Sequence, residues 1–182
     1  MTRALVLAAA LLALTLSGCD EGDPPAAEGS GADSAAIRGD LAALYAGDHA
    51  GEEETASGDC FAEAFTALTT HDQLRDAGVL DASYAVVAEL PVLPPDVAEA
   101  WVEAQFGCSD FVIESTNAQV KISKGRIDTE KYAACLRQEV TEDDLRAAAT
   151  SSLTGDWDAP SVSALADAQG RCSRAAMPTD PE

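Results

Sequence analysis

Apolar residues recur at helical spacing along most of the chain beyond residue 58. The clearest run begins at Val97 and continues at i+4, i+7 and i+11, so its members share one helix face. Pro94-Pro95 supplies a helix start just before it. The members of the three predicted inner stripes are Val97, Trp101, Ala104 and Cys108; Phe61, Ala64, Phe65 and Leu68; and Tyr132, Cys135, Leu136 and Val140. These stripes predict an all-α fold with Trp101 in its core.

Capping signals mark the ends of further helices. Thr70 and Thr141 each begin a Thr-x-Asp segment, in which the threonine can cap a helix and the acid lies near its positive end. Residues 109–123 are expected to form another helix. Residues 84–90 stay ambiguous, because their Tyr-Ala-Val-Val run fits a short strand, an apolar loop or part of a helix, and Pro91 would end any helix there early.

The domain contains an internal repeat. Three patterns occur twice in the same order: a cysteine before an apolar residue, Thr-x-Asp-x-Leu-Arg-x-Ala, and Ala-Gln-x-x-Cys after a proline. The matched positions are Cys60 and Cys135, Thr70 and Thr141, and Cys108 and Cys172. We interpret residues 58–109 and 130–175 as two copies of one helical unit, the alternative being that alanine-rich helices resemble one another by composition. Two copies are too few for a solenoid, so we expect them to pack face to face in one domain, residues 58–175.

Polar, flexible sequence is predicted on both sides of this domain. Residues 19–57 are rich in Gly, Ala, Ser, Asp and Glu and contain too little apolar surface to offset the entropy of ordering. We therefore expect a flexible acidic spacer there and a disordered tail over residues 176–182. One exception lies inside the spacer, where Ile37, Leu41 and Leu44-Tyr45 fall at helical spacing. This segment either docks on the domain or forms a transient helix, and the pattern favours the transient helix.

The first 18 residues have the order of a secretory signal. A charged start containing Arg3 precedes an apolar run of about 13 residues, too short to span roughly 30 Å of hydrocarbon. The run ends at Leu16-Ser17-Gly18-Cys19, which resembles the lipobox of bacterial lipoproteins. The resemblance implies that residues 1–18 are removed and that an acyl chain such as palmitate is attached to Cys19. The alternative is an ordinary cysteine beside a conventional cleavage site.

The lipobox resemblance implies a location as well. Acyl chains would hold the protein at the cell membrane, on its extracytoplasmic face, because each buried methylene contributes about 0.8 kcal/mol. The acidity and alanine content are similar to those of lipoproteins from high-GC bacteria such as actinobacteria. This second resemblance is one of composition.

Four cysteines remain after Cys19, an even number that indicates two disulfides in an exported protein. Three connectivities are possible. The repeat favours Cys60 with Cys108 and Cys135 with Cys172, because equivalent units should close in the same way. Zinc is the rival interpretation, but close pairs such as Cys-x-x-Cys are missing, so we predict no metal and no cofactor.

Charge limits the classes of partner. The net charge of −21 repels nucleic acid and anionic headgroups, so binding of DNA or RNA through charge is disfavoured. The same acidity also serves solubility alone. The membrane is therefore expected to be reached through the lipid on Cys19 rather than through the protein surface.

The sequence contains no catalytic motif. A nucleophile elbow, a phosphate-binding glycine loop and a His-Glu-x-x-His pair are all missing. His49 is expected in the spacer and His71 at the surface, while Asp143-Asp144 and Asp156/Asp158 read as solvated helix ends. Trp157, flanked by two aspartates, is the candidate for an exposed recognition residue.

These observations predict a non-enzymatic, membrane-anchored helical module that binds an envelope protein or a small ligand. The alternatives are an enzyme with a site of scattered carboxylates and a purely structural surface protein. Buried Asp or Glu side chains close together in a deep pocket would favour the enzyme, whereas a shallow apolar groove between the repeats would favour binding.

Overall fold

The computed structural model describes residues 33–48 and 50–178. Within them the chain forms eight helices and no strand, so the predicted all-α fold is confirmed. The helices are α1 (Ser34–Ala46), α2 (Glu52–Leu68), α3 (His71–Asp76), α4 (Pro95–Cys108), α5 (Phe111–Ser123), α6 (Thr129–Glu139), α7 (Glu142–Leu153) and α8 (Pro160–Ala176). The ambiguous residues 84–90 are irregular, with one isolated bridge that joins Val86 to Leu80.

The predicted inner stripes occupy the core with one exception. Phe61, Phe65, Trp101 and Tyr132 are buried, and the other members apart from Leu68 are either buried or half-buried against the core clusters. The prediction for Leu68 is wrong, since 51% of this residue is exposed. Leu68 is the last residue of α2, three residues beyond Phe65, which is the last buried residue of that helix.

The eight helices divide into two similar units of four. Helices α1 to α4 contribute to one hydrophobic cluster, from Ile37 to Ala104, and helices α5, α6 and α8 contribute to another, from Val112 to Ala176. Helix α7 packs on α8 and on α4, and its Leu153 contacts the first cluster. Each unit begins with a 13-residue helix whose N-cap aspartate, Asp33 or Asp110, accepts bonds from two backbone amides. The helix expected over residues 109–123 is therefore the first helix of the second unit. The repeat is one helix longer than the sequence patterns predict.

The two units also share their later features. Thr70 and Thr141 both form capping boxes at the starts of α3 and α7, and a proline stands in the first turn of α4 and of α8. Several residues matched by the repeat occupy equivalent buried positions. These buried pairs are Phe61 and Leu136, Leu74 and Leu145, and Ala104 and Ala168.

One disulfide joins two helices in each unit. Cys60 and Cys108 connect α2 to α4 with their Cα atoms 5.7 Å apart, and Cys135 and Cys172 connect α6 to α8 at 5.5 Å. These are the pairs that the repeat favours. Each bridge ties the second helix of its unit to the fourth and constrains the unfolded chain over the loop between them.

The prediction of a flexible spacer over residues 19–57 is wrong from residue 34 onward. Helix α1 docks on the first unit with Ile37 and Leu41 fully buried, and α2 begins at Glu52 rather than near residue 58. The average composition of the segment does not reveal a stripe of only a few apolar residues. Such a stripe is enough to hold a helix in place once a partner surface exists to bury it. Gly58 permits the close approach, because a Cβ there would lie 2.6 Å from the carbonyl oxygen of Ala42.

The predicted C-terminal tail also begins too early. Ala176 is the last residue of α8 and is buried, and Met177 packs against the second cluster.

The residues outside the described part of the chain include several to which the sequence predictions refer. They are the predicted signal peptide, Cys19, residues 20–32, His49 and residues 179–182. Across the described part of the chain, no helix combines the length and apolar character needed to cross a membrane.

Candidate functional site

A groove of about 440 Å³ lies where the two units meet. The first unit contributes the end of α1, the first turns of α2 and the end of α4, and the second unit contributes the outer face of α5. The two units join at Ser109-Asp110, between α4 and α5, and both residues line the groove. The groove therefore depends on the arrangement of both units.

Tyr45 at the end of α1 is the residue around which the groove is built. Its ring stacks on Phe61 with the centroids 4.2 Å apart. Its hydroxyl lies 3.0 Å from the Ser109 hydroxyl and donates to Oε1 of Glu114 at 3.2 Å. Tyr45 thus fastens α1 to the start of the second unit, 69 residues further along the chain.

The surroundings of Tyr45 disfavour its ionised form. Burial is the largest cause, and together with the negative charge of Glu114 it raises the pKa of Tyr45 to about 12. The hydrogen bond with Ser109 acts in the opposite direction and is outweighed. The hydroxyl is therefore protonated, and available as a donor, at physiological pH.

Apolar side chains form part of the groove walls. Ile113 on α5 is 46% exposed, and Ala46 and Ala118 contribute smaller surfaces. Cys108 connects this region to the disulfide of the first unit. The groove consequently combines an apolar surface with the polar group of Tyr45.

Acidic residues outnumber basic ones in the groove lining. Lys121 is the sole lining cation among the described residues, and it faces four carboxylates. The carboxylates are Glu53, Glu54, Asp110 and Glu114. Three of them have structural partners: Glu54 accepts from the Gly51 amide at 3.0 Å, Glu114 accepts from the Tyr45 hydroxyl, and Asp110 caps α5 and pairs with Arg137 at 3.4 Å. Neither Glu53 nor Lys121 pairs with another ion within the part of the chain that the structure describes.

A smaller cleft of about 380 Å³ lies on the other side of the junction. Phe106 and Phe111 line it and stack with their centroids 6.5 Å apart. Beside it, Arg146 lies 4.7 Å above the Phe106 ring and forms ion pairs with Glu103 and Glu142, each at 2.8 Å. These contacts hold α7 against α4, so this side of the junction is fastened by side chains of both units.

The residues singled out from the sequence are dispersed. Trp157 is 64% exposed in the turn between α7 and α8, as predicted, and does not line the groove. His71 is half-buried at the start of α3. The exposed Asp144 bonds to the amide and hydroxyl of Thr141, which is the predicted role at a helix start.

No acidic site of the kind that would favour an enzyme is found in residues 33–48 and 50–178. The buried polar side chains there are Ser115, Thr116 and Ser123, so no carboxylate is among them. The same residues contain no group of three or more His, Cys, Asp or Glu side chains that could hold a metal.

Sequence reasoning missed the principal groove residues. Tyr45 belongs to the one apolar stripe noted in the predicted spacer, and its helical spacing was the available signal. Glu114 and Ile113 follow the N-cap Asp110, but nothing local indicates that they face α1. Comparisons of this chain with protein-family models, with curated proteins and with solved structures find no match, so the role of the groove has to be inferred from its geometry and charge.

Proposed function

We propose that this protein is a lipid-anchored binding protein of the extracytoplasmic membrane face, and that the groove between its two units holds a small ligand. The observation that carries the binding step is the concave surface around Tyr45, which both units build and which includes apolar and polar groups. Small-molecule sites commonly have this size and mixture. The proposal includes no catalytic step.

The sequence around Cys19 supports the anchor. A charged start, an apolar run and Leu-Ser-Gly-Cys follow one another in the order that lipid attachment requires. Helix α1 begins at Ser34, on the side of the chain that leads back to Cys19, and the groove lies at its other end. A helix of 13 residues is about 20 Å long, so the groove would open well away from the point where the tether joins.

Rigid construction supports the binding step. The Cys60–Cys108 disulfide fixes α2 to α4 beside the groove, and the rings of Phe61 and Trp101 pack behind Tyr45 at centroid distances of 4.2 and 6.4 Å. A preformed site loses less conformational entropy when its ligand binds than a loop that must first be ordered. The groove is therefore suited to hold a ligand without a large rearrangement.

The carboxyl groups with shifted pKa values give no support to the enzyme alternative. The pKa values of Asp81, Asp128 and Asp144 are lowered by hydrogen bonds from the residues that follow or precede them in turns and helix starts. A general acid at neutral pH needs a raised pKa instead. All three groups belong to local capping structures, with Asp81 and Asp144 exposed and Asp128 half-buried.

Two experiments test the proposal in living cells. Cys19→Ser is expected to move the protein from the membrane fraction to the soluble fraction, since no acyl chain can then be attached; retention at the membrane would contradict the anchor.

For the groove, a photoreactive residue at Asn117, which lines it, is expected to capture a small molecule detectable by mass spectrometry. The same residue at Ile122, exposed on the same helix outside the groove, is the control. Equal labelling at both positions would contradict ligand binding in the groove.

A further inference from the structure

We infer that the ligand of this groove is a small organic cation, an amine or guanidinium attached to an apolar body. The inference rests on the proposed function, because it names the chemistry of the ligand for the same groove. Three properties of the groove carry it: the sign of its charge, its exposed apolar wall and its size.

The charge of the lining selects for a cation. Carboxylates approach from both units, with Glu53 on α2 and Glu114 on α5, against the single ammonium of Lys121. Glu53 has no cationic partner among the described residues, and Glu114 is bonded only through the neutral hydroxyl of Tyr45. A concave surface lined mainly by one sign of charge concentrates its field, so a bound cation is favoured and an anion is repelled.

The exposed apolar surface of the groove favours a ligand with an apolar body over an inorganic ion. Ile113, which lines the groove beside Ala46 and Ala118, is 46% exposed. An apolar ligand body that covers Ile113 removes this surface from water, which an inorganic cation cannot do. A metal ion is disfavoured further because the described residues contain no cluster of ligating side chains.

The dimensions favour a free small molecule over a protein partner. The volume of about 440 Å³ lies within the range of small-ligand sites, which begins at roughly 300 Å³. The part of the groove formed by Tyr45 and Ser109 also favours a ligand with a polar group, because the two hydroxyls lie side by side and can reorient toward such a group. We therefore assign the apolar body to the Ile113 wall and the cationic group to the space between Glu53 and Glu114.

Three matched probes test the charge of the ligand: 2-phenylethylamine, 2-phenylethanol and phenylacetate, titrated into the purified full chain by calorimetry. The three share a phenyl ring and differ in the charge of the attached group. The amine is expected to bind about tenfold more tightly than the alcohol, as one charged hydrogen bond predicts, and more tightly than phenylacetate. Equal binding of amine and alcohol, or preferred binding of phenylacetate, would overturn the assignment.

Variants locate the effect within the groove. Glu53→Gln is expected to weaken binding of the amine about tenfold and to leave the binding of the alcohol unchanged. Glu63→Gln, also exposed on α2 but outside the groove, is the matched control and is expected to change neither. An equal loss in both variants would indicate a general effect of net charge and would overturn the role of Glu53.

The inference and the proposed function can fail separately. A neutral or anionic molecule captured at Asn117 would contradict the cation while leaving ligand binding intact. A lysine-rich octapeptide that binds more tightly than 2-phenylethylamine would overturn the small ligand and indicate a protein partner. If Asn117 captures nothing and no probe binds, both the proposed function and the inference are wrong.

Discussion

The two four-helix units have the same frame and different cores. In the first unit, Phe61, Phe65 and Trp101 pack together with ring centroids 4.5 to 5.3 Å apart. In the second unit, Leu136 stands where the first has Phe61, and the Tyr132 hydroxyl bonds to Ser115 at 2.9 Å. Caps, proline starts and disulfides thus specify the helical order, while the cores have diverged in size and polarity.

The comparison also shows why the groove lies where it does. The first helix of the first unit carries an aromatic residue, Tyr45, that reaches across to the second unit. The first helix of the second unit, α5, buries small polar residues such as Ser115 and Thr116 against its own core and turns Ile113 outward. The first unit therefore supplies the polar group of the groove, Tyr45, and the second unit supplies the exposed apolar side chain of Ile113.

The largest expected effect comes from the aromatic core. Phe61→Ala removes the ring that contacts both Tyr45 and Trp101 and is expected to lower the free energy of unfolding by about 3–5 kcal/mol. The equivalent change in the second unit, Leu136→Ala, is expected to cost about 2–4 kcal/mol because less buried volume is lost. Urea denaturation followed by circular dichroism measures both. A larger loss for Leu136→Ala would contradict the difference between the cores.

The disulfides should have nearly equal effects. Replacing both cysteines of either pair with alanine is expected to lower the free energy of unfolding by about 2–4 kcal/mol, because the sequence separations of 48 and 37 residues enter only through a logarithm. The measurement is urea denaturation of the two double variants. Values that differ by more than about 1 kcal/mol, beyond what the loop lengths explain, would show that the frames are not equivalent.

A smaller effect is expected where α1 crosses α2. Gly58→Ala places a methyl group against the Ala42 carbonyl and is expected to cost about 1–3 kcal/mol and to loosen α1. Gly39→Ala, in α1 with nothing within 4 Å, is the control and is expected to stabilise by about 0.5–1 kcal/mol. Denaturation gives both values, and limited proteolysis at Arg38 reports the loosening. Unchanged proteolysis of Gly58→Ala would contradict the docking of α1 through this contact.

The smallest effect concerns pH. Because burial raises the pKa of Tyr45 to about 12 from 10.0, the unfolded chain loses this proton first as the pH rises. The contribution of Tyr45 is complete below pH 10 and is lost between pH 10 and about 12, at most about 2 kcal/mol. Tyr45→Phe is expected to be less sensitive over this range when urea denaturation is repeated at pH 9 and 11.5. An equal pH dependence in both proteins would place the titration elsewhere.

The helical units were predictable because local patterns encode them. The capping threonines and the prolines at helix starts act within a few residues, and the cysteine spacing is visible through the repeat. These signals can therefore be recognised in the sequence alone. The helical spacing of α1 was recognised, but its docking was not favoured, because its buried residues, Ile37, Leu41 and Ala42, are few and lie in an acidic segment. Only the partner surface around Gly58 makes burying them favourable.

The groove was not predicted from the sequence for a different reason. It arises where Tyr45 meets Ser109, residues 64 positions apart on helices that no sequence pattern pairs. The carboxylates that line it resemble the other acidic residues of a chain with a net charge of −21. Position in the fold, rather than residue type, distinguishes Glu53 and Glu114 from the rest.

Native mass spectrometry of the full chain, extracted gently from membranes, tests ligand binding in the groove most directly. The wild-type protein and Ile122→Trp are expected to carry an additional small mass, and Ala118→Trp, which fills the groove, is expected to lack it. The same additional mass on Ala118→Trp would contradict a ligand site between the two units.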